Sequence, residues 1–498
     1  MIPALLIILP FAGGAVAWLA AGAGSRWARL VSGIALGVQL VLGALLWIVG
    51  GASSDGRWLA SLSVPWIPSL GVSFSVAADG LSLVLVMLTS VIGLLSVLGS
   101  LDSVRTRVGF FHFCLMWSLG AVTGAFLAID LFLFYVFWEL MLIPLFLLIL
   151  IWGHEGRVYA ALKFFIFTQA AGLLLLVGIA ALVSAGARIS GQTDFGLAHL
   201  ESLVLAPRTA FWVMLAFFTA FAVKLPAVPV HSWLADAHTE APLAGSLVLA
   251  GVVLKVGGYG LIRFAVPLFP DAAVAVAPAA RVMGVAGILY GALMAFGQTD
   301  LKRLVAYTSV SHMGFVLLGI FSLSEVGMQG AVVMMLAHGI ATGSLFLLAQ
   351  MIRRRFGTRD LGILGGIWSA VPRLGGSLTL FAMASLGLPG LAGFVGEFLV
   401  LLAAWQVSVP SAIFAGCGLV FSAVYSLHLV QRVLHGPLSV EVEGVSDLSR
   451  LESAMLGAMI IVTVWIGLAP QTCLDCSRPA IRRALDRRPP AHGERRVR

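Results

Sequence analysis

Two lysines and two glutamates stand inside stretches that are otherwise almost wholly apolar. They are Lys224 in LAFFTAFAVKLPAVPV, Lys255 in LVLAGVVLKVGGYGLI, Glu139 in FLFYVFWELMLIPLF and Glu397 in GLPGLAGFVGEFLVLL. A charged side chain at the centre of a hydrocarbon layer costs about 2.5–3.5 kcal/mol on insertion scales, so its retention calls for a reason. Of the 30 basic residues, 26 are arginine, and only Lys163, Lys224, Lys255 and Lys302 are lysine. Arginine stays charged in any protein environment, whereas burial brings a lysine within reach of losing its proton. Lys224 and Lys255 can therefore take up and release protons. Lys163 lies near the start of its run and can snorkel to headgroups, and Lys302 opens its run at the interface.

The carboxylates suit the same chemistry. No basic residue lies within one helical turn of Glu139 or Glu397, so a partner must come from another helix. An opposite charge within about 4–6 Å holds a carboxylate ionised, and its removal lets the proton return. A Glu–Lys pair is then a switch. The alternative is a set of buried ion pairs that only fixes assembly. His312 (YTSVSHMGFV) and His338 (MMLAHGIATGSLF) also sit in apolar runs. An imidazole titrates near neutrality, so each fits a relay position or a hydrogen-bonded packing role. His112 and His428 read as structural.

The elements that must hold these groups follow from composition. The 498 residues are 60% hydrophobic and 10% charged, with 56 glycines, where a soluble domain is about 25% charged. The net charge of +8 is concentrated in Arg478–Arg498, where eight arginines face Asp486 and Glu494. No clustered cationic face remains for nucleic acid, and four cysteines make no disulfide scaffold. The chain reads as an all-α polytopic membrane protein.

About 20 apolar residues cross a hydrocarbon core of roughly 30 Å. Fourteen such runs lie near 2–21, 30–50, 80–100, 109–128, 131–152, 160–184, 209–229, 242–266, 273–296, 303–322, 327–350, 375–403, 411–432 and 453–470. Those at 209–229 and 375–403 are irregular. The first has no basic leader and carries Pro3 and Pro10, so it reads as a retained helix rather than a cleaved signal. Residues 57–78 alternate Trp, Ser and Val and fit a small hairpin at the membrane surface. In alternate connections, one side holds Arg26, Arg29, Arg105, Arg107, Arg157, Lys302, Arg303, Arg353–Arg355, Arg359, Arg373, Arg432 and Arg450. The other side holds Arg57, Arg188, Arg208, Arg263 and Arg281 before the tail. The first side is then cytoplasmic. An even count puts both termini outside, and the basic tail with them, against the same rule.

Helix breakers cluster at the charges. Pro226 and Pro229 follow Lys224, Gly257, Gly258 and Gly260 follow Lys255, and Pro389–Gly390 precedes Glu397. Each proline frees the carbonyl four residues earlier, which membrane depth tolerates only where protein or water satisfies it. Pro226 and Pro389 are 163 residues apart, so runs four to eight and nine to thirteen read as two inverted five-helix repeats containing broken helices. This divides the chain into 1–107, with three helices, two repeats over 108–272 and 273–435, and a last helix and arginine-rich tail over 436–498. His231, Asp236, His238 and Glu240 crowd the segment after Lys224, but match no specific zinc spacing. A loop that caps the next helix fits them as well, and no metal site is assigned. Cys473 and Cys476 form a lone C-x-x-C outside any redox context. No nucleotide loop and no set of cluster or haem ligands is evident, so electron transfer lies elsewhere.

Three motifs carry a resemblance. VKLPAVPVHSWLADAHTEAPLAGSLVLAGVVLKVGGYGLIRF, QTDLKRLVAYTSVSHMGFV and LGLPGLAGFVGEFLVL resemble the antiporter-like membrane subunits of respiratory complex I, from about Asp79 to the thirteenth helix. The resemblance implies proton translocation along a Glu–Lys–Lys–Glu axis. In it Glu139 pairs with Lys224, Lys255 is the central relay, Glu397 is the terminal site, and His312 and His338 lie between. It implies a bacterial inner-membrane location with both termini periplasmic, and other membrane-arm subunits, including antiporter-like sisters, as partners. No cofactor belongs to this chain, since NADH, FMN, Fe-S clusters and quinone are expected in partner subunits. Mrp-type sodium–proton antiporters and energy-converting hydrogenases share this ancestry and stand as alternatives. Glutamate at 397 sets the chain apart from sister subunits that typically carry lysine there. Ala235, Ala392, Arg353–Arg355 and the basic tail depart from the family pattern.

Overall fold

A computed structural model describes residues 1–50, 58–438 and 444–486. Arg57 and the tail beyond residue 486 lie outside the described residues. Helices α1 (Ile2–Ala20) and α2 (Ser25–Gly50) precede a hairpin of β1 (Ala60–Ile67) and β2 (Val72–Ala78), then α3 (Gly80–Gly99). The expected surface hairpin is present, antiparallel with Ala60 opposite Ala78 and a bulge at Pro65–Ile67. Asp79 caps α3 in a capping box with Ser82.

The first repeat holds α4 (Val108–Leu127), α5 (Leu131–Trp152), α6 (Arg157–Ser190), an interrupted unit of α7 (Pro207–Lys224) and α8 (Trp233–Glu240), and α9 (Leu243–Leu268). The second holds α10 (Pro270–Phe296), α11 (Leu301–Ile320), α12 (Glu325–Phe356), an interrupted unit of α13 (Pro372–Ser385) and α14 (Ala392–Val407), and α15 (Val409–Leu434). Helix α16 (Arg450–Leu468) follows, then α17 (Gln471–Asp486). Among the described residues, 12 helices are long and apolar enough to span a membrane. The two interrupted units complete fourteen crossings, and they are the two runs whose pattern is irregular.

The repeat is written in hydrogen bonds. Asp130 and Asp300 each cap the second helix of their repeat, accepting from the backbone N–H of Leu133 and of Arg303. Leu131 N–H donates to the Phe195 carbonyl and Leu197 N–H to Ile129. Leu301 N–H donates to Arg359 and Leu361 N–H to Thr299 in the same pattern. The breaks correspond too, with Ala227 N–H reaching the Ala222 carbonyl and Leu388 N–H that of Met383. Asp130 lies on the hairpin face, where it accepts from Ser73 N–H. Five crossings separate it from Asp300, so the second repeat is inverted.

Helix α9 and the apolar central stretch of α12 are wholly buried and form the core between the repeats. Outer helices such as α2 and α16 leave most of their apolar side chains at least partly exposed, as lipid-facing helices do. Behind the core, buried Arg263 on α9 holds both Asp79 carboxylate oxygens, at 2.7 and 2.6 Å, and its Nε donates to the Tyr259 hydroxyl. On the opposite face the arginines ending α12 each fasten a different segment. Arg353 Nη1 lies 2.7 Å from His154 Nε2, Arg354 reaches Asp102 at 2.9 Å, and Arg355 reaches Glu452 at 2.6 Å.

Candidate functional site

Lys224 is the last residue of α7, where the chain breaks at Pro226. It is buried, and its ammonium sits 4.4 Å above the Trp138 ring, a face-on contact that favours a desolvated cation. Glu139 is the neighbour of Trp138 on α5. Its carboxylate packs on Gly172 of α6, and a single added Cβ there would overlap Oε1. Tyr135 and Gln169 lie against it, and Lys224 acts on it as the nearby positive charge. Among the described residues no ion pair within 4 Å joins Glu139 to Lys224. The expected pairing is therefore through space, and the Trp138 indole lies under the ammonium and, with the Glu139 carboxylate, against Gly172. Helix α5 is interrupted at Met141, two residues past Glu139, so all four deep charges adjoin an irregular turn.

Lys255 lies at the centre of α9, fully buried. The expected loosening by Gly257, Gly258 and Gly260 takes another form. The helix runs on, with wide π turns at Leu249–Val253 and Leu261–Ala265 on either side of Lys255. Its ammonium donates to the Ala250 carbonyl within the first wide turn and lies 2.6 Å from His338 Nδ1. The glycines instead admit neighbours, since a Cβ at Gly257 would press on the Phe221 carbonyl and the Leu225 amide at the end of α7. That contact brings the helix of Lys255 against the break that carries Lys224.

Beyond Lys255 the histidines continue the line. The His338 and His312 rings meet edge to face with centroids 5.5 Å apart, and His312 Nε2 donates to the Ser385 carbonyl at 2.9 Å. Ser385 ends α13 at the second break, where Lys224 ends α7 at the first. With Lys255 charged, these partners set the tautomers. A charged Lys255 needs His338 Nδ1 as acceptor, leaving Nε2–H as a free donor. His312, donating from Nε2, keeps Nδ1 as a free acceptor. Neither atom has a protein partner among the described residues. One ring thus offers the donor that the other lacks.

The second break ends the line. Gly387 has φ of +79°, and a Cβ on it would overlap Glu397 Oε2. Glu397 is 2% exposed on the first turns of α14, and the Tyr425 hydroxyl comes near both it and Ser385. The structure brings Lys255, His338, His312 and Glu397 into one buried row, with Lys224 and Glu139 joined to it at the first break.

His238, which the sequence presents only as part of a polar segment, is a core residue. It lies on α8, fully buried, its ring stacked 4.8 Å from Phe346 with neither ring nitrogen bonded to protein. Lys255 and Lys302 are the charges that act on it. Lys302 opens α11 and is buried within the protein, where the Ala241 carbonyl that follows α8 accepts from its ammonium. Lys163 does not snorkel freely. It is bound to Asp236 at 2.7 Å, and Arg303 shares that carboxylate at 3.3 Å. Glu240 accepts from Gly156 N–H at 2.9 Å. Among the described residues, no three His, Cys, Asp or Glu side chains cluster as a metal site.

Comparison with known proteins gives the following. A family model described as NADH:quinone oxidoreductase/Mrp antiporter, TM matches residues 128–422. NADH-quinone oxidoreductase subunit M of Pseudomonas aeruginosa is 47% identical over 489 residues, covering 96% of each chain. The subunit of that name from Escherichia coli (strain K12) is 45% identical over 488 residues, again covering 96% of each. Among solved structures, a chain of respiratory complex I from Thermus thermophilus with bound NADH superposes with a TM-score of 0.88. It is 31% identical and the match covers 98% of this chain and 99% of that one. A chain of the Mrp complex from a Dietzia species gives 0.84 at 23% identity, covering 98% of each, and shares the fold.

Proposed function

The chain belongs to the family of NADH:quinone oxidoreductase and Mrp antiporter membrane subunits, and from that we propose that it moves protons as the M-type subunit of a bacterial NADH–quinone oxidoreductase. The redox chemistry lies with partners, which hold NADH, FMN, Fe-S clusters and quinone. Other membrane-arm subunits, antiporter-like sisters among them, flank the chain. The arginine-rich face that includes Arg353–Arg355 is cytoplasmic by the charge rule, and an even number of crossings puts both termini in the periplasm.

The observation that carries this reading is the row from Lys255 through His338 and His312 to the break beside Glu397. Loss of the Glu139 charge removes the attraction that holds a proton on Lys224. The proton passes to Lys255, crosses the two rings by exchange between His338 Nε2 and His312 Nδ1, and leaves through Glu397. Water admitted by the two breaks closes the gaps. Unit charges about 6 Å apart at an effective dielectric near 20 interact by roughly 3 kcal/mol. Moving one charge against 100 mV costs about 2.3 kcal/mol. Making or breaking one such contact is therefore of the size that a stroke requires.

The test uses Lys224→Ala and Glu139→Gln in membranes with assembly verified. Quinone-coupled proton uptake is followed with a pH-sensitive dye, with and without sodium. Depressed turnover and pumping in assembled complex supports the axis. Normal values in both variants would leave the two charges structural, and sodium-dependent transport without quinone reduction would favour the antiporter reading.

A further inference from the structure

We propose that the groove between α2 and α3, at their arginine-rich end, binds an anionic phospholipid. The groove encloses about 510 Å³ and is lined by Arg26, Arg29, Leu30, Ile34, Leu94 and Leu98 among others. Its two parts differ in chemistry. At the mouth stand two guanidiniums, on the first turn of α2. Below them runs an apolar trough, whose Leu30 and Ile34 are half exposed.

The charge at the mouth is unneutralised. Among the described residues, no carboxylate lies within 4 Å of Arg26, Arg29, Arg105 or Arg107. Asp102 stands in the same connection, but it is bound to Arg354. Arg29 donates one N–H to the Val104 carbonyl at 3.2 Å, which holds its guanidinium over the groove. Arg26 makes only a stacking contact with Trp27, 5.3 Å from the ring centroid. Both keep N–H groups free for a phosphodiester, which guanidinium matches with two parallel hydrogen bonds. Across the α1–α2 turn, a second groove of about 470 Å³ lies beside Arg107, Trp18 and Phe110. It extends the same combination of cation, aromatic ring and apolar wall.

The trough is open by sequence as well as by shape. Gly33 lines it, and a Cβ at Gly33 or at Gly37, one turn on, would meet nothing. An acyl chain fits that absence of side chain, and a phosphate fits the arginines above. Basic pockets between membrane helices on the cytoplasmic side take anionic headgroups for this reason.

The experiment places a photoreactive benzoylphenylalanine in place of Ile34, a half-exposed side chain already lining the trough, in the assembled complex within native membranes, and identifies adducts by mass spectrometry. The expected result is adducts to anionic phospholipid, enriched severalfold over its share of the bilayer. Arg26→Gln in the same background should return that enrichment to the bulk share. In a second measurement, Gly33→Leu fills the trough, and complex purified in mild detergent should retain less anionic lipid with turnover unchanged. Adducts to a protein chain would overturn the proposal by showing a neighbouring subunit in the groove. Adducts in bulk proportion would overturn it by showing ordinary solvating lipid.

Discussion

Lys255 Nζ lies 2.6 Å from His338 Nδ1 at the centre of the bundle, both side chains buried. The contact joins a residue of the first repeat to one of the second, so on the proposed path the step from Lys255 to His338 is the one that crosses between repeats. Replacing His338 by Ala leaves the ammonium only the Ala250 carbonyl. Histidine relays of this kind contribute about 10²–10⁴-fold as general acid–base groups. We expect His338→Ala to lower coupled proton uptake at least tenfold in assembled complex. Uptake at the wild-type level would remove His338 from the path.

Gly172 and Gly387 are each held against a carboxylate. Gly172→Ala pushes on the end of the Glu139 side chain, which can swing away without unfolding the helix. The expected outcome is normal assembly with impaired pumping. Gly387→Ala adds a left-handed backbone conformation to the overlap with Glu397, costing about 1–3 kcal/mol. It should lower both assembly and pumping, as blue-native gels and dye quenching on the same membranes would show.

The Asp79–Arg263 pair is buried on both sides, and removing one partner leaves the other charge unpaired. Breaking such a pair costs about 3–5 kcal/mol. Asp79→Ala should therefore reduce the thermal stability of the complex strongly, and Asp79→Ala with Arg263→Leu should recover part of the loss. Equal stability of the single and double variants would show that the charge of Arg263 is satisfied elsewhere.

His154, in the loop between α5 and α6, gives a pH dependence. Burial, then the charges of Lys302, Arg353 and Arg359, push its imidazole down from 6.5 to about 3. The folded loop therefore holds it neutral, accepting from Arg353, while the unfolded chain protonates near 6.5. Its contribution is fully present above pH 6.5 and is lost progressively as pH falls towards 3. Thermal melts between pH 7.5 and 5 should show His154→Gln losing less stability than the wild type on acidification. Parallel melting curves would contradict this.

Much of the axis was legible because charge in an apolar run is costly and therefore conspicuous. Glu139, Lys224, Lys255 and Glu397 stand out for that reason, and Pro226 and Pro389 mark the breaks beside two of them. The surface hairpin and the fourteen crossings follow from pattern and length. His238 was hidden because Asp236 and Glu240 beside it make the segment read as a polar loop, whereas α8 tucks back into the bundle and turns Asp236, Thr239 and Glu240 outward. Gln169 and Tyr425 look like ordinary membrane-helix residues, and only packing brings them to the carboxylates, whereas Tyr135 stands four residues before Glu139 on the same helix and its spacing was a readable signal. The equivalence of Asp130 and Asp300 had a local signal, an aspartate before each apolar run. Its meaning depends on hydrogen bonds to segments some 60 residues away.

The most direct measurement is proton uptake per NADH oxidised by complex carrying Lys255→Met, reconstituted in vesicles with subunit content verified. Methionine keeps the length and apolar packing of the side chain and deletes the proton carrier. The account predicts that uptake through this subunit is lost and turnover falls with it, because the stroke stalls at the centre of the row. Wild-type uptake and turnover in the fully assembled variant would contradict the axis as the path of the proton.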